Sequence, residues 1–337
     1  MIWNTLPPYQ ILHMDSKVII FAKDEFKSQI PEHNHDSDKR FKVYWIKGPG
    51  QKELWMKIKF YGVRGSLPVC GKEFERYGGN TTCLKVYREN ANRIAVIDAG
   101  TGIRILGKEI ISSGLSQDII NIFFSHFHLD HIQGLPFFAP AYNKEQRLGI
   151  LAMGRRGKIK NLKEIFSTQM QEEYFPIGLD MMGAKFEFFT YGEREKLFGA
   201  VVKAAPQHHI HPGGSYGFRF EDDSVVVAFC TDAEHIDGID ANVVNLAQDA
   251  DLLIHDGQYT PEEYKKFKGW GHSSYEHAAE VAARANVKRL IITHHDPDHN
   301  DDLLDAMECK CQKLFTNSVF AKEGMEVKVS PVNREIC

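Results

Sequence analysis

The sequence lacks an uninterrupted apolar run of about 18 residues, so it offers no conventional membrane-spanning helix. It also lacks a basic excess. Lysine and arginine number 41 against 45 aspartates and glutamates, a formal net charge of −4, so no overall positive field attracts nucleic acid. The first residues, MIWNTLPPYQILHMD, have neither the basic region nor the long apolar stretch of a signal peptide. The 6 cysteines follow no disulfide-framework or zinc-ribbon spacing, so we expect reduced cysteines and a cytoplasmic protein.

The rest of the composition is ordinary for a globular protein, with the exception of histidine. The 337 residues are 43% apolar and 26% charged, which is enough for a sizeable core. The 16 histidines, many of them clustered, are unusual and indicate a metal site. The pattern changes at Met56. We therefore divide the chain into an N-terminal extension at 1–55, with the pattern of a small appended hairpin, and one larger domain at 56–337.

Strand-like and helix-like segments alternate along the larger domain. Runs such as MKIKFYG, RIAVI, DIINIFF and LLIHDG predict strands, and segments such as IRILGKEIISS and SYEHAAEVAARAN have helical spacing. The segments fall into two similar halves on either side of a histidine-rich loop. This order favours an α/β fold, a layered αββα sandwich.

The stretch SHFHLDHIQG is the densest group of metal-type residues. Its donors His126, His128, Asp130 and His131 directly follow the strand-like run DIINIFF. Buried imidazole and carboxylate groups destabilise a fold unless they have partners. The same groups are common ligands of zinc and related divalent ions, and loops after strands often carry such sites. The stretch therefore predicts a metal site.

Four later segments also end a strand-like run with a metal-type residue. These residues are His211 after AVVKAA, Asp232 after VVVAFCT, Asp256 in LLIHDG and His294 after LIIT. One such residue carries little information by itself. Because all of them end apolar strands, we expect them to converge with the histidine loop on one edge of the sandwich.

The sequence H-F-H-L-D-H resembles the H-x-H-x-D-H signature of the metallo-β-lactamase fold hydrolases, and the later donors follow in that superfamily's order. The resemblance covers residues 56–337 and implies the four-layer αββα sandwich of that fold. It also implies two divalent metal ions, with zinc expected and manganese or iron as alternatives. Carried over by position, one ion is held by His126, His128 and His211, the other by Asp130, His131 and His294, and Asp232 bridges both.

Two of these ligand assignments have close alternatives. His208 and His209 precede His211, which we prefer because HPGGSYGF resembles the spacing of the phosphodiesterase branch. His295 follows His294, which we prefer as the first residue after the strand. The unassigned histidines then orient ligands or lie on the surface.

A possible acid–base pair comes from two further motifs. LLIHDGQYT and GWGHSS resemble strand-end and Gly-His-Ser/Thr motifs of the tRNA 3′-processing endonucleases. The resemblance makes His272 a general acid that protonates the leaving oxygen, oriented by Asp256. The alternative is a histidine beside a helix start, where Ser273 or Ser274 caps the helix.

The opening of the domain supplies candidate substrate contacts. V-R-G-S-x-P and Y-G-G-N-T-x-C resemble a bacterial group of cyclic-nucleotide-type phosphodiesterases. We predict that Arg64, Asn80 and Thr81 contact a substrate phosphate. The alternative is a glycine-rich turn between strands, with Arg64 in a structural salt bridge.

These features predict a dinuclear metal-dependent phosphodiesterase in which a metal-bridging hydroxide attacks a small, cyclic nucleotide-like phosphodiester. The tRNA-processing enzymes carry a Gly-rich basic arm, whereas residues 153–175 offer only MGRRGKIK, so we do not expect nucleic acid as the partner. The alternatives are an RNA-end or tRNA 3′-processing nuclease, a thioesterase or lactonase on the same metals, or a sensor with a vestigial site. We further expect a homodimer that does not contact membranes.

Overall fold

The computed structural model of the chain describes residues 9–14, 17–22, 42–46, 56–88, 93–114, 119–197, 200–209, 214–222 and 225–330. The chain divides into two compact units, residues 1–53 and 54–337. In the first unit, three strands form an antiparallel sheet in chain order. They are β1 (Tyr9–Met14), β2 (Lys17–Ala22) and β3 (Lys42–Ile46).

The second unit contains two sheets, and the first of them has seven strands. Its strands are β4 (Met56–Gly62), β5 (Cys83–Arg88), β6 (Arg93–Ile97), β7 (Ile119–Phe123), β8 (Arg147–Ala152), β9 (Lys185–Thr190) and β17 (Glu326–Val329). They lie in the order β17-β4-β5-β6-β7-β8-β9. The pairs from β17 to β6 are antiparallel, and those from β6 to β9 are parallel.

The second sheet also has seven strands, in chain order. They are β10 (Arg194–Leu197), β11 (Ala200–Gln207), β12 (Ser215–Glu221), β13 (Val226–Cys230), β14 (Leu252–Asp256), β15 (Leu290–Thr293) and β16 (Ser318–Phe320). Pairing is antiparallel from β10 to β13 and parallel from β13 to β16. Both sheets therefore change from antiparallel to parallel pairing, as expected for two similar halves.

Seven α-helices accompany the two sheets among the described residues. They are α1 (Ile103–Ser112), α2 (Leu129–Ile132), α3 (Leu162–Gln169), α4 (Ala241–Ala247), α5 (Pro261–Phe267), α6 (Tyr275–Arg284) and α7 (Asp301–Leu314). None of the helices in the described ranges is long and apolar enough to cross a bilayer.

The hydrophobic core has three parts, which establish the layer order. Side chains of both sheets, including Phe60, Phe123 and Phe229, pack together between them. A second cluster lies between the first sheet and the helices α1 and α3, and a third between the second sheet and α4, α6 and α7. The predicted four-layer αββα sandwich is confirmed.

Two strands were not predicted from the sequence. The edge strand β10 has the sequence REKL, with no run of apolar residues, and β16 has three residues. Such strands form because a neighbouring strand offers free hydrogen-bonding groups, and local periodicity does not report this. The segment NLKEIFSTQMQEEYF has helical spacing throughout, but α3 ends at Gln169.

Candidate metal centre

Polar residues just beyond five strands build one site at the edge of the sandwich. The loop after β7 contributes the histidine motif, and β11, β13, β14 and β15 lead to His209, Asp232, Asp256 and His294. Asp232 and His294 have left-handed backbones, with φ of 54° and 63°. This conformation is uncommon for residues with a Cβ atom and costs about 1–3 kcal/mol, which the surrounding contacts must offset.

The first donor group consists of His126, His128, His209 and Asp232, whose ligand atoms lie within 4.8 Å of one another. His126 Nε2 is 3.6 Å from Asp232 Oδ1, and His209 Nε2 is 3.4 Å from His128 Nδ1. Among the described residues, His126 Nε2 is buried without a hydrogen-bond partner. A buried nitrogen of this kind is costly unless something else binds it.

The second donor group consists of Asp130, His131 and His294, and the other oxygen of Asp232 faces it. His131 Nε2 lies 3.2 Å from Asp130 Oδ2 and 3.2 Å from Asp232 Oδ2. His294 Nε2 lies 3.3 Å and 3.4 Å from the same two oxygens. The two carboxylates and two imidazoles thus point at a common centre, and Asp232 presents one oxygen to each group.

The donor spacing tests whether the site suits metal ions. A tetrahedral zinc ion binds nitrogen and oxygen at about 2.0–2.1 Å, so its ligands lie about 3.3 Å apart. The second group has separations of 3.2 to 3.4 Å. The two Nε2 atoms of His131 and His294 are themselves 3.3 Å apart. The second donor group therefore fits a tetrahedral divalent ion, and the first group has somewhat wider separations of 3.4 and 3.6 Å.

The protonation states of the first donor group also favour metal binding. Burial lowers the pKa of His209 to about 4, and burial also holds the pKa of His126 well below its ordinary value. Asp232 is fully buried, and burial disfavours its charged form. Attraction to the nearby histidines outweighs this effect and lowers the pKa of Asp232. Neutral imidazole and ionised carboxylate are the forms that bind metal.

The Nε2 atoms of His131 and His294 face the second donor group, and hydrogen-bond partners at the Nδ1 atom of each ring orient them. His131 Nδ1 is 2.9 Å from Asp98 Oδ2, and His294 Nδ1 is 3.1 Å from Gln258 Oε1. Such partners fix the tautomer and the ring orientation. The sequence prediction missed both residues. Asp98 ends the run RIAVID and has the same strand-end signal as the assigned donors, whereas nothing local marks Gln258.

His272 and Asp256 lie together beside the donor groups, as the motif resemblance implies. His272 Nδ1 is 3.0 Å from Asp256 Oδ2. Burial disfavours the charged imidazolium form of His272. Attraction to the Asp256 carboxylate outweighs this effect and raises the pKa of His272 to about 9. Asp256 also accepts from the backbone N–H groups of Asp232 and Ser273, at 3.1 and 3.0 Å. Helix α6 is capped by Ser274.

The histidine alternatives are distributed differently from the preferred assignment. His211 lies outside the described residues, and His209 lies in the first donor group. His294 lies in the second group, whereas His295 Nε2 is 2.9 Å from the carbonyl of Ala321 and its ring stacks on Phe320.

The candidate phosphate contacts Arg64, Asn80 and Thr81 have other partners. Arg64 is fully buried and donates to the carbonyls of Gly78, Asp296 and His299. The amide side chain of Asn80 donates to Glu323. Thr81 is also fully buried, and its hydroxyl accepts from Thr101 N and Gln133 Nε2. These contacts connect loops around the site and favour the structural alternative, although Arg64 Nη2 is buried without a hydrogen-bond partner among the described residues. A contact of these three residues with a substrate phosphate stays a prediction.

The two-sheet sandwich with histidine and aspartate donors at its strand ends defines a metal-dependent hydrolase of the metallo-β-lactamase fold. The family model of the beta-lactamase superfamily domain matches residues 93–295, and the chain belongs to this family.

Comparison with curated proteins and solved structures gives similar relatives. A protein named Ribonuclease Z from Picrophilus torridus is 26% identical over 309 residues, covering 81% of this chain and 96% of the relative. Another protein of that name, from Gemmatimonas aurantiaca, is 23% identical over 317 residues, covering 81% and 96%.

Two solved structures share the fold at low sequence identity. The metallo-β-lactamase fold protein YhfI from Bacillus subtilis has a TM-score of 0.60 and 18% identity, covering 82% of this chain and 100% of that one. The short form of human tRNase Z has a TM-score of 0.57 and 19% identity, covering 81% and 99%.

Proposed function

We propose that this protein is a dinuclear metal-dependent phosphodiesterase that cleaves a phosphodiester bond of RNA. The observation that carries the proposal is the His272–Asp256 pair, 3.0 Å apart, beside two donor groups that share Asp232. A general acid is needed when the leaving group is a poorly acidic alcohol, as in RNA. The two relatives named Ribonuclease Z support the choice of RNA over other diesters.

We propose zinc as the bound metal, with manganese or iron as alternatives. His126, His128 and His209 would hold one ion, Asp130, His131 and His294 would hold the other, and Asp232 would contribute one oxygen to each. Divalent ions at such a site polarise phosphoryl oxygens and make hydroxide available at neutral pH. His209 here replaces His211 of the sequence prediction, since His209 Nε2 lies beside the other first-group donors.

The protein's own residues supply the proton that the leaving oxygen needs. Asp256 accepts from Nδ1 of His272 and fixes the tautomer in which Nε2 faces away from the carboxylate. Its other oxygen accepts from the N–H groups of Gln258 and Ser273. The carboxylate is thus held on several sides, and His272 delivers its proton to the departing oxygen of the substrate.

The expected cyclic-nucleotide substrate has no specific support from the relatives, which carry the name Ribonuclease Z. We retain a small diester as an alternative because the chain has a net charge of −4 and residues 153–175 offer only MGRRGKIK as a basic segment. We also propose a cytoplasmic location and a homodimer.

A substrate panel tests the proposal. The enzyme is loaded with zinc or manganese and assayed with a pre-tRNA, a short single-stranded RNA, 2′,3′- and 3′,5′-cyclic nucleotides, a thioester and a lactone. We expect RNA to give the highest kcat/KM. Preferential turnover of a cyclic nucleotide selects the small-diester alternative, and thioester or lactone turnover alone rules out phosphodiester chemistry.

A second test concerns the general acid. His272→Ala should lower turnover of diesters with alcohol leaving groups by about 10²–10⁴-fold. It should largely spare bis-p-nitrophenyl phosphate, because p-nitrophenolate leaves without needing a proton. Equal losses on both substrates would remove the general-acid role.

A further inference from the structure

We propose that Glu234 is a positioning residue that clamps the general-acid loop, residues 269–272, against the metal centre. The role of this loop rests on the proposed function, but the clamp itself is a property of the fold. Glu234 lies two residues after Asp232 and is only 1% exposed. A buried carboxylate is expensive unless both oxygens are bonded, so its partners identify what it does.

Both oxygens of Glu234 bind the backbone of the loop. Oε1 accepts from the N–H of Gly269, and Oε2 accepts from the N–H of Gly271 at 2.8 Å. Two charge-assisted bonds to alternate amides restrain the segment on the amino-terminal side of His272. Each carboxylate oxygen is thus bonded to a backbone amide of the loop, so its effect on chemistry is through position.

The clamp also connects the loop to a proposed metal ligand. The N–H of Glu234 donates to the carbonyl of His208 at 3.0 Å, and His209 Nδ1 is 3.0 Å from the carbonyl of Gly271. The approach is so close that a Cβ atom at Gly271 would lie 2.3 Å from His209 Nδ1. Gly271 also has a φ of +90°, which favours glycine. A shift of the loop therefore moves the partner that orients His209.

The other side of His272 is held independently. Ser273 donates its N–H to Asp256 and its hydroxyl to the carbonyl of Ala233. Removing the Glu234 carboxylate should thus leave the His272–Asp256 pair anchored from one side only. We expect the His272 side chain to be oriented less precisely, without global unfolding.

The test compares Glu234→Gln with a matched control. Glutamine keeps the volume and one acceptor oxygen, but its NH₂ group confronts one of the two loop N–H donors. Asp251→Asn is the control, because Asp251 is also a buried carboxylate that accepts a backbone N–H, from Val226 at 2.8 Å, but at the opposite ends of β13 and β14. Thermal unfolding confirms that both variants fold.

Two readouts follow for the metal-loaded proteins. For RNA or another diester with an alcohol leaving group, Glu234→Gln should lower kcat by about 10–100-fold with little change in KM, as for lost orienting partners generally. Turnover of bis-p-nitrophenyl phosphate should fall less than threefold. Hydrogen exchange of the metal-free protein should accelerate at the amides of Gly269 and Gly271, and Asp251→Asn should leave these amides unchanged.

Each outcome decides the proposal. Selective loss with alcohol leaving groups together with faster exchange supports the clamp. Unchanged exchange in Glu234→Gln overturns it, as do equal losses on both substrates. If His272→Ala shows no leaving-group preference, the proposed function fails, and the exchange measurement still tests the clamp by itself.

Discussion

The two halves of the metal centre are built differently. In the first sheet, one loop after β7 supplies His126, His128, Asp130 and His131 within a few residues. In the second sheet, each donor comes from a separate strand end, and His209 and His294 are 85 residues apart in the numbering of the chain. The first half is a local motif, whereas the second half exists only when the sheet has formed.

The difference also appears in how the donors are held. Asp98 binds His131 and also accepts from the backbone and hydroxyl of Ser125, so it supports the whole loop. His294 Nδ1 lies 3.1 Å from Gln258 Oε1 and 3.8 Å from Asp256 Oδ2, and the ring packs closely against Gly65. Local motifs can share one strong anchor, while dispersed donors depend on individual contacts.

The largest effect is expected at the residue that joins the halves. Asp232→Asn removes a charge that serves both donor groups, so metal content should fall from about two ions per chain and phosphodiester turnover by more than about 100-fold, beyond the usual effect of an outer partner. Metal analysis and kinetics measure this. Asp302→Asn, an exposed carboxylate on α7, is the control, and full metal content in Asp232→Asn would contradict the shared role.

The next effect compares the two orienting partners. Asp98→Asn and Gln258→Ala should each weaken metal binding by about 10–100-fold. Asp98→Asn should be the more damaging, because Asp98 also holds Ser125. Competition with a chromogenic chelator gives the affinities. A reversed order would mean that the local half does not depend on its shared anchor.

A smaller effect is expected only in the half of the site whose donors come from separate strand ends of the second sheet. In Gly65→Ala the new Cβ would lie 2.2 Å from His294 Nδ1, so the ring must move at a cost of about 1–3 kcal/mol in the free energy of unfolding. One ion should bind more weakly, with the other retained. Gly178→Ala is the matched control, since a Cβ there meets nothing within 4 Å. Equal weakening of both ions would argue against separate halves.

The smallest effect is expected inside the local motif itself. Leu129 lies between two donors but is 69% exposed, so Leu129→Ala should change the free energy of unfolding by less than about 0.5 kcal/mol. Metal content should stay unchanged. A clear loss of metal would show that spacing residues of the motif also contribute.

Sequence patterns predicted the layers and most of the donors, because apolar strands and their polar ends are local features. His126, His128, Asp130 and His131 follow from adjacency, and the strand-end pattern supplied the later donors. The resemblance to a known family supplied their roles and the pairing of His272 with Asp256. The choice between His209 and its neighbours was beyond local reasoning, since adjacent histidines look alike along the chain. The burial of Arg64 was also beyond local reasoning, because its backbone partners Asp296 and His299 are more than 200 positions away.

The sequence alone thus determined that strands end in metal-type residues, since hydrophobic periodicity and motif spacing are written along the chain. Tertiary structure decided which of those residues meet. Asp98, Gln258 and Glu234 make their contacts with distant segments, and His131 and His294 approach within 3.3 Å across two sheets. Such distances arise from the packing of one sheet on the other, and no local pattern encodes them.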